Sequence, residues 1–274
     1  MDYALIGEKL GHSYSPLIHR KFFEIENFNF GYNLLEIQKN ELEEFVNKVK
    51  NGYLKGFNVT IPYKQDVMDF LDFIDEKASN IGAVNTVVNK NGKLYGYNTD
   101  YYGYLLTVLK LEAKVEGETC VILGNGGSAK AVIEALKDLK AKEIYLVSRN
   151  LNKDVPLGVK SINYDELGQL NKGYLLTNCT PVGMFPNVGD SPVSKEIIGK
   201  FEFAIDLIYN PKMTKFLEEA KQLNLKFENG LYMLFAQAIR AEELWQEQSY
   251  DLDKLNIIFE ELVSKVYGGI KWKF

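Results

Sequence analysis

Thr119-Cys-Val-Ile-Leu-Gly-Asn-Gly-Gly-Ser-Ala-Lys-Ala-Val-Ile-Glu-Ala-Leu136 is the stretch of this 274-residue chain that decides its fold. A short apolar run is followed by glycines and then by apolar residues at helical spacing, which predicts a strand, a tight turn and a helix. Gly124 would permit the turn, Gly126 would let the backbone approach a pyrophosphate, and Ala129 would let helix and strand pack closely. Because the free N–H groups of the helix N-terminus bind anions, we predict a dinucleotide site, although glycine pairs also close ordinary turns.

The end of the next predicted strand, Glu143 to Val147, indicates which dinucleotide binds. In NAD-binding units an Asp or Glu about 20 residues after the glycines holds the ribose 2′-hydroxyl, whereas a basic residue accommodates the phosphate of NADP. This strand runs into Ser148-Arg149-Asn150, with Lys153 close by and no acid at the strand end. The sequence therefore favours NADP over NAD; the alternative is an exposed arginine without a partner.

Composition limits the possible functions. The length allows one or two domains, and two are favoured. A net charge of -5 without a basic stripe argues against a nucleic-acid partner. No apolar run approaches about 18 residues and no leader pattern opens the chain, so we expect a cytoplasmic protein without a membrane partner. Cys120 and Cys179 lie in apolar runs, which excludes a disulfide framework, and His12 and His19 lack neighbours at ligand spacing, so no metal site is predicted.

The first hundred residues alternate predicted strands and helices. A strand ends at Gly7, and a helix begins near Pro16 with Ser15 as its N-cap. The hydroxyls of Ser13 and Ser15 at a helix N-terminus would suit a carboxylate ligand, although capping alone explains them equally well.

A second group of polar residues follows in the run Asn58-Val-Thr60-Ile-Pro62-Tyr-Lys64. The polar members alternate with apolar ones, which predicts one face of a strand that Pro62 ends. Residues 67–78 then predict a single amphipathic helix with four aspartates outside. Lys64 would lie at or just before its first turn, where the helix dipole disfavours a cation, so a functional lysine is considered beside a plain solvated one.

The remaining segments complete an α/β pattern. Asn91-Gly92 predicts a hairpin, and Asp100 is a candidate N-cap for a helix over 104–111. Strands over 175–179 and 203–208 end in loops rich in Gly, Pro and Asn, where open parallel sheets bind their ligands. Helices are predicted from Gly230 and over 250–266.

Eight short motifs occur in order along the chain. They are Leu5-Ile-Gly7 with His12-Ser13-x-Ser15-Pro16; Asn58-x-Thr60-x-Pro62-x-Lys64; Gly82-Ala83-x-Asn85-Thr86; Gly96-x-Asn98-Thr99-Asp100; Gly124-x-Gly126-Gly127; Asn178-x-Thr180-Pro181-x-Gly183-Met184; Asp206-x-x-Tyr209-x-Pro211; and Gly230-x-x-Met233-Leu234-x-x-Gln237. Each is a weak signal alone, but together the motifs resemble the shikimate dehydrogenase family over nearly the whole chain.

The resemblance implies a fold and an activity. It implies an α/β substrate domain with a mixed, mainly parallel sheet over residues 1–101 plus 237–274, and a Rossmann-like NADP-binding domain over 102–236. The implied activity is the reversible NADPH-dependent reduction of 3-dehydroshikimate to shikimate in aromatic amino acid biosynthesis. The implied state is a monomer or a homodimer.

The resemblance also implies roles for individual residues. Lys64 would be the acid/base and Asp100 its partner. Ser13 and Ser15 would bind the substrate carboxylate, while Asn58, Thr60, Asn85, Tyr209 and Gln237 would bind elsewhere on the substrate. The implied cofactor contacts are Gly124, Asn125, Gly126, Gly127, Ser128, Ala129, Ser148, Arg149, Lys153, Thr180, Met184 and Gly230. The family's usual Asn-Arg-Thr stands here as Ser148-Arg149-Asn150, which keeps the charge but changes its neighbours.

Two other functions fit the same fold. One is a quinate/shikimate dehydrogenase that uses NAD. The other is a nucleotide-sensing module without turnover, against which the presence of both Lys64 and Asp100 speaks.

Overall fold

The computed structural model describes residues 2–11, 13–151 and 155–268 and divides the chain into two compact units. The first unit comprises Met1–Asp100 and Phe235–Phe274, and the second comprises Tyr101–Leu234. Each contains a six-stranded sheet with helices, so the predicted α/β class is confirmed. Within the described ranges, no helix has the length and apolar character needed to cross a bilayer.

The strands are β1 (Tyr3–Gly7), β2 (Tyr32–Glu36), β3 (Gly56–Val59), β4 (Phe73–Ile74), β5 (Thr86–Lys90), β6 (Lys93–Tyr97), β7 (Thr119–Leu123), β8 (Glu143–Val147), β9 (Val159–Ile162), β10 (Leu175–Asn178), β11 (Phe203–Asp206) and β12 (Lys226–Glu228). The helices are α1 (Ser15–Ile25), α2 (Leu42–Lys50), α3 (Glu76–Ile81), α4 (Thr99–Lys110), α5 (Gly127–Asp138), α6 (Tyr164–Gln169), α7 (Lys195–Ile198), α8 (Lys215–Gln222), α9 (Gly230–Gln246) and α10 (Asn256–Tyr267).

The sheet of the first unit is mixed, with strand order β2-β1-β3-β5-β6-β4. β1 runs parallel to β2 and β3, whereas β5 is antiparallel to β3 and β6. The predicted hairpin is confirmed: Lys90 pairs with Lys93, and Asn91 and Gly92 between them have φ of 53° and 83°. A two-residue type I′ hairpin turn requires positive φ at both of its central residues.

The sheet of the second unit is parallel throughout, with strand order β9-β8-β7-β10-β11-β12. This is the order of the doubly wound dinucleotide-binding fold. Cys120 and Ile122 of β7 enter the core shared with α4 and α5, while Val121 and Leu123 enter the core shared with α6 and α8. Because both faces of β7 are buried from Cys120 to Leu123, its sequence is apolar at all four of these positions rather than at alternate ones.

One predicted element is wrong. Residues 67–78 do not form a single helix but a 3₁₀ turn (Asp66–Phe70), strand β4 and then α3. Asp72 accepts a hydrogen bond from Leu94 N–H at 2.9 Å, and Asp75 caps α3 by accepting from Lys77 N–H. Pairing with β6 therefore overrides the local helical spacing; Asp72 and Asp75 are exposed as predicted, and both also bond to the backbone.

Candidate active site

Lys64 and Asp100 lie side by side in the first unit. The ammonium Nζ is 2.5 Å from Asp100 Oδ2, and the two side chains are 27% and 19% exposed. Val84 N–H donates to the Lys64 carbonyl at 2.8 Å, which holds the turn after β3 in place. Among the described residues the ammonium has no second hydrogen-bond partner, so two of its three N–H groups can reach a ligand.

Three local arguments from the sequence are wrong here. The N-cap of α1 is Tyr14, and Ser15 is already the first helical residue. Asp100 lies inside the first turn of α4 and does not precede it. The dipole argument for Lys64 fails because a 3₁₀ turn, rather than an α-helix, follows it. Lys64 and Asp100 are therefore candidates because of their hydrogen bond and their partial exposure, and not because of their positions relative to helix ends.

A buried network of amides and hydroxyls lies in the same unit. Asn85 Oδ1 accepts from Thr99 N–H at 2.7 Å and from the Thr86 hydroxyl, and the Thr99 hydroxyl can donate its one proton either to Asn85 Oδ1 or to Gln237 Oε1. Thr99 Oγ1 in turn is 3.3 Å from Gln237 Oε1, and Asn58 Nδ2 donates to Thr86 Oγ1 at 3.0 Å. The Asn85 oxygen is thus fully used, while its amide nitrogen has no partner among the described residues and can donate to a ligand.

The two serines and Thr60 are close to the backbone of β1 and α1. Ser13 Oγ accepts from Ser15 N–H at 3.2 Å, and Ser15 is buried. Thr60 N–H donates to Ile6 O at 3.0 Å. A Cβ on Gly7 would lie 2.7 Å from the Thr60 methyl group, so glycine is needed for this close approach. The N-cap of α1 is Tyr14, and among the described residues the Ser15 side chain bonds Tyr32, so helix capping does not explain its presence.

The glycine turn of the second unit has the predicted form. β7 ends at Leu123, Gly124 has a φ of +91°, and Gly126 is the N-cap of α5. A Cβ on Gly124 would meet the Thr180 methyl group at 2.7 Å, whereas a Cβ on Gly126 or Gly127 would meet nothing within 4 Å. Asn125 to Ser128 are exposed, while Ala129 is buried against the sheet, as its proposed packing role requires.

The N-terminus of α5 suits an anion. Its N-cap makes no side-chain hydrogen bond, and its first turn contains no acidic residue. The unpaired N–H groups and the helix dipole both favour negative charge at this end.

Arg149 lies close to this turn along the sheet. Gly124 N–H donates to Val147 O at 2.8 Å, so the glycine turn is tied to the end of β8, two residues before Arg149. Ser148 is buried, and its hydroxyl donates to the Asn150 carbonyl. Arg149 is exposed and makes no ion pair with any residue that the structure describes. Lys153, the other predicted phosphate contact, lies outside the described residues.

Three further predicted residues follow β10 and β11. Thr180 donates to Asn178 Oδ1 through both its N–H and its hydroxyl, at 2.9 and 2.7 Å. Met184 is 46% exposed in the loop after it, and Tyr209 is partly buried after β11. Gly230 begins α9 where a Cβ would lie 2.0 Å from Leu207 O, so this position accepts no larger residue without a backbone shift.

Some residues of these networks were not predicted as site residues. Thr86 and Thr99 connect Asn58, Asn85 and Gln237, although they were noted only as members of motifs. In the second unit, Asp206 is fully buried and accepts from Asn178 Nδ2, Thr214 Oγ1 and Ile208 N–H. Burial, partly offset by these bonds, raises the pKa of Asp206 to about 6. The feature of the sequence that could have indicated Asp206 is a carboxylate at the end of the apolar strand β11.

Comparison with known families gives one matching family model. It is described as the shikimate dehydrogenase substrate binding domain and matches residues 5–87. The chain is 48% identical over 254 residues to the shikimate dehydrogenase (NADP(+)) of Clostridium beijerinckii, covering 91% of this chain and 93% of that protein. The corresponding protein of Clostridium perfringens is 45% identical, with 95% and 97% covered.

Solved structures give the same result. A chorismate mutase/shikimate 5-dehydrogenase fusion protein from Clostridium acetobutylicum matches with a TM-score of 0.92 and 47% identity, covering 97% of this chain and 98% of that one. Shikimate 5-dehydrogenase from Thermus thermophilus, solved with NADP(H) and shikimate, matches with a TM-score of 0.85 and 30% identity, covering 96% and 99%.

Proposed function

Because the chain belongs to the shikimate dehydrogenase family, we propose that it catalyses the reversible reduction of 3-dehydroshikimate to shikimate with NADPH, a step in aromatic amino acid biosynthesis. The observation that carries the proposal is the Lys64–Asp100 pair, whose ammonium has only this one partner in the described part of the chain and so has two donors left for a ligand. A nucleotide-sensing module would not need a partly exposed lysine and carboxylate held 2.5 Å apart.

Lys64 supplies the proton in this reaction. NADPH provides the hydride, and the oxygen of the substrate carbonyl must then gain a proton. Lys64 Nζ donates that proton, and in the reverse direction it takes the hydroxyl proton. Asp100 keeps the ammonium in position and accepts from a neighbouring substrate hydroxyl. A proton donor positioned in this way typically contributes about 10² to 10⁴ in rate.

The substrate is recognised by hydrogen bonds around this pair. Ser13 and Ser15 bind the carboxylate, and Asn58, Thr60, Asn85 and Gln237 bind near the hydroxyls. The amide nitrogen of Asn85, which has no partner in residues 2–11, 13–151 and 155–268, supports this role, since it can donate to a hydroxyl oxygen. Tyr209 is assigned to the substrate on the family resemblance alone.

The second unit binds NADP. The turn from Gly124 to Ala129, which includes Asn125, Gly126, Gly127 and Ser128, would hold the pyrophosphate at the N-terminus of α5. Arg149, next to Ser148, binds the 2′-phosphate together with Lys153. Thr180, Met184 and Gly230 complete the cofactor contacts. The Arg149 guanidinium makes no ion pair with any described residue. This supports its role, because an arginine already paired with a carboxylate would bind phosphate less well.

We place this activity in the cytoplasm, in a monomer or homodimer with small molecules as its partners. The net charge of -5 and the lack of a basic stripe argue against nucleic acid. The substrate domain corresponds to the first unit and the NADP domain to the second.

The test is an absorbance assay of nicotinamide reduction by the purified full chain. Shikimate and quinate are each tried with NADP⁺ and with NAD⁺. We expect the highest kcat/KM with shikimate and NADP⁺. A preference for NAD⁺ would contradict the role of Arg149, and turnover with none of the four pairs would contradict the activity itself.

A further inference from the structure

A buried cluster of aromatic and charged side chains in the first unit has no part in the proposed reaction. The His19 ring stacks on the Tyr32 ring, with centroids 4.1 Å apart and planes 11° apart. His19 Nδ1 is 2.5 Å from Glu242 Oε1, and both side chains are almost fully buried. Two buried charges are costly to desolvate, so an ion pair at this place would contribute little net stability.

Trp245 fixes the cluster against the sheet. Its Nε1 donates to Val87 O at 3.0 Å, and a Cβ on Gly56 would lie only 2.3 Å from that nitrogen. The centroid of the Trp245 ring is 5.3 Å from that of the His19 ring and 6.3 Å from that of the Tyr32 ring. The Tyr32 ring is therefore held by its neighbours, and its phenol has little freedom to move.

The Tyr32 phenol connects this cluster to the candidate site. Its O–H donates to Asn58 Oδ1 at 2.7 Å, while Asn58 Nδ2 donates to Thr86 Oγ1 and to Asn85 O. Burial, and after it the nearby Glu242 carboxylate, raise the pKa of Tyr32 well above its ordinary value of 10, although a hydrogen bond with the Ser15 side chain offsets part of the rise. The phenol therefore keeps its proton and stays a donor.

We propose that Tyr32 is a positioning residue for the substrate: its phenol fixes the Asn58 amide in the orientation that leaves an Oδ1 lone pair for a substrate hydroxyl. The amide oxygen has two lone pairs, of which Tyr32 uses one. Without the phenol, the buried Asn58 oxygen loses its donor, and the amide is then held only through the bonds of its Nδ2 to Thr86 Oγ1 and Asn85 O. The proposal rests on the proposed function, because it requires shikimate to bind in the first unit.

The test compares Tyr32→Phe with Tyr3→Phe. Tyr32→Phe keeps the ring that stacks on His19 and removes only the phenol oxygen. Tyr3 is the matched control, because both tyrosines are 1% exposed in one cluster, and Tyr3 bonds Gln246 rather than a site residue. We expect Tyr32→Phe to raise the KM for shikimate about tenfold, with kcat and the KM for NADP⁺ changed less than about twofold. Tyr3→Phe should leave all three constants within about twofold.

A double-mutant cycle separates positioning from general structural support. If Tyr32 acts through Asn58, Tyr32→Phe has no further effect on the KM for shikimate in an Asn58→Ala background. The same fold increase in both backgrounds overturns the proposal, as does an equal increase with Tyr3→Phe. A wild-type chain without activity on shikimate overturns the proposed function and this proposal together, whereas an active wild type with additive losses overturns this proposal alone.

Discussion

Asp206 should make the second unit lose stability as the pH rises. Its carboxyl is fully buried, and burial raises its pKa from 3.8 to about 6, with three hydrogen bonds offsetting part of the rise. The folded protein thus keeps this proton to a higher pH than the unfolded chain. The stability that this gives is fully present below about pH 4 and is lost as the pH rises to about 6. A difference of about two pKa units corresponds to about 3 kcal/mol.

Asp206→Asn removes this titration while keeping the size of the side chain. We expect the stability of the variant relative to wild type to increase by about 3 kcal/mol between pH 4 and pH 7. Asp190→Asn, in an exposed loop of the same unit, is the control and should change by less than about 0.5 kcal/mol.

The free energy of unfolding is measured by urea titration at each pH, with hydrogen exchange of β10 and β11 as the probe of the second unit. The carboxyl carbon shift of Asp206, followed by NMR, gives its titration midpoint directly. A stability difference that stays constant from pH 4 to 7, or a midpoint near 4, would refute the reasoning.

Arg149→Ala should raise the KM for NADP⁺ at least about tenfold and the KM for NAD⁺ less than about twofold, because only NADP carries the 2′-phosphate; equal increases would count against that contact. Gly230→Ala should destabilise the fold by about 3 kcal/mol or more in thermal unfolding, since the new Cβ meets Leu207 O at 2.0 Å. Gly168→Ala in α6, where a Cβ meets nothing within 4 Å, is its control and should be neutral or stabilising by up to about 1 kcal/mol. Tyr250→Phe removes a buried hydroxyl that has no hydrogen-bond partner among the described residues, so the stability of the variant should equal that of wild type or exceed it by up to about 1 kcal/mol; a loss of that size would show that the hydroxyl has a partner.

The elements that the sequence predicted well are those whose signal is local. The glycine turn from Gly124 to Ala129 and the hairpin at Asn91-Gly92 both depend on backbone conformations that few residues adopt, and both are present. The apolar runs of β7, β10 and β11 also stand out, because a parallel sheet covered on both faces requires them.

The errors occur where tertiary contacts decide. Nothing local distinguishes a helix over 67–78 from the observed turn, strand and helix, because the pairing of Phe73 with Tyr95 involves a partner 22 residues away. Strand β3 ends at Val59 rather than at Pro62, and Ile61, predicted on an apolar face, is 77% exposed. Strands β9 and β12 and helices α6 to α8 are short and were not predicted, since short elements carry little periodicity.

The site was found through motifs rather than through geometry. The motifs identified Lys64 and Asp100 as candidates. The local pattern predicted that each lies just before an α-helix, which the structure does not support. The bond of Tyr32 to Asn58 and the contacts of His19 with Tyr32 and Glu242 could not be predicted, because they join α1, β2, β3 and α9, which are far apart in the sequence. His19 carried no signal beyond the absence of neighbouring metal ligands.

The kcat for shikimate oxidation with NADP⁺, measured for wild type and for Lys64→Ala, tests the central claim most directly. Lys48→Ala is the matched control, because Lys48 also pairs with one carboxylate, Glu44, at 2.7 Å in the same unit. We expect an active wild type, a loss of at least about 10² in kcat for Lys64→Ala with little change in the KM for NADP⁺, and less than about a twofold change for Lys48→Ala. An inactive wild type, or a Lys64→Ala variant with unchanged turnover, would contradict the account.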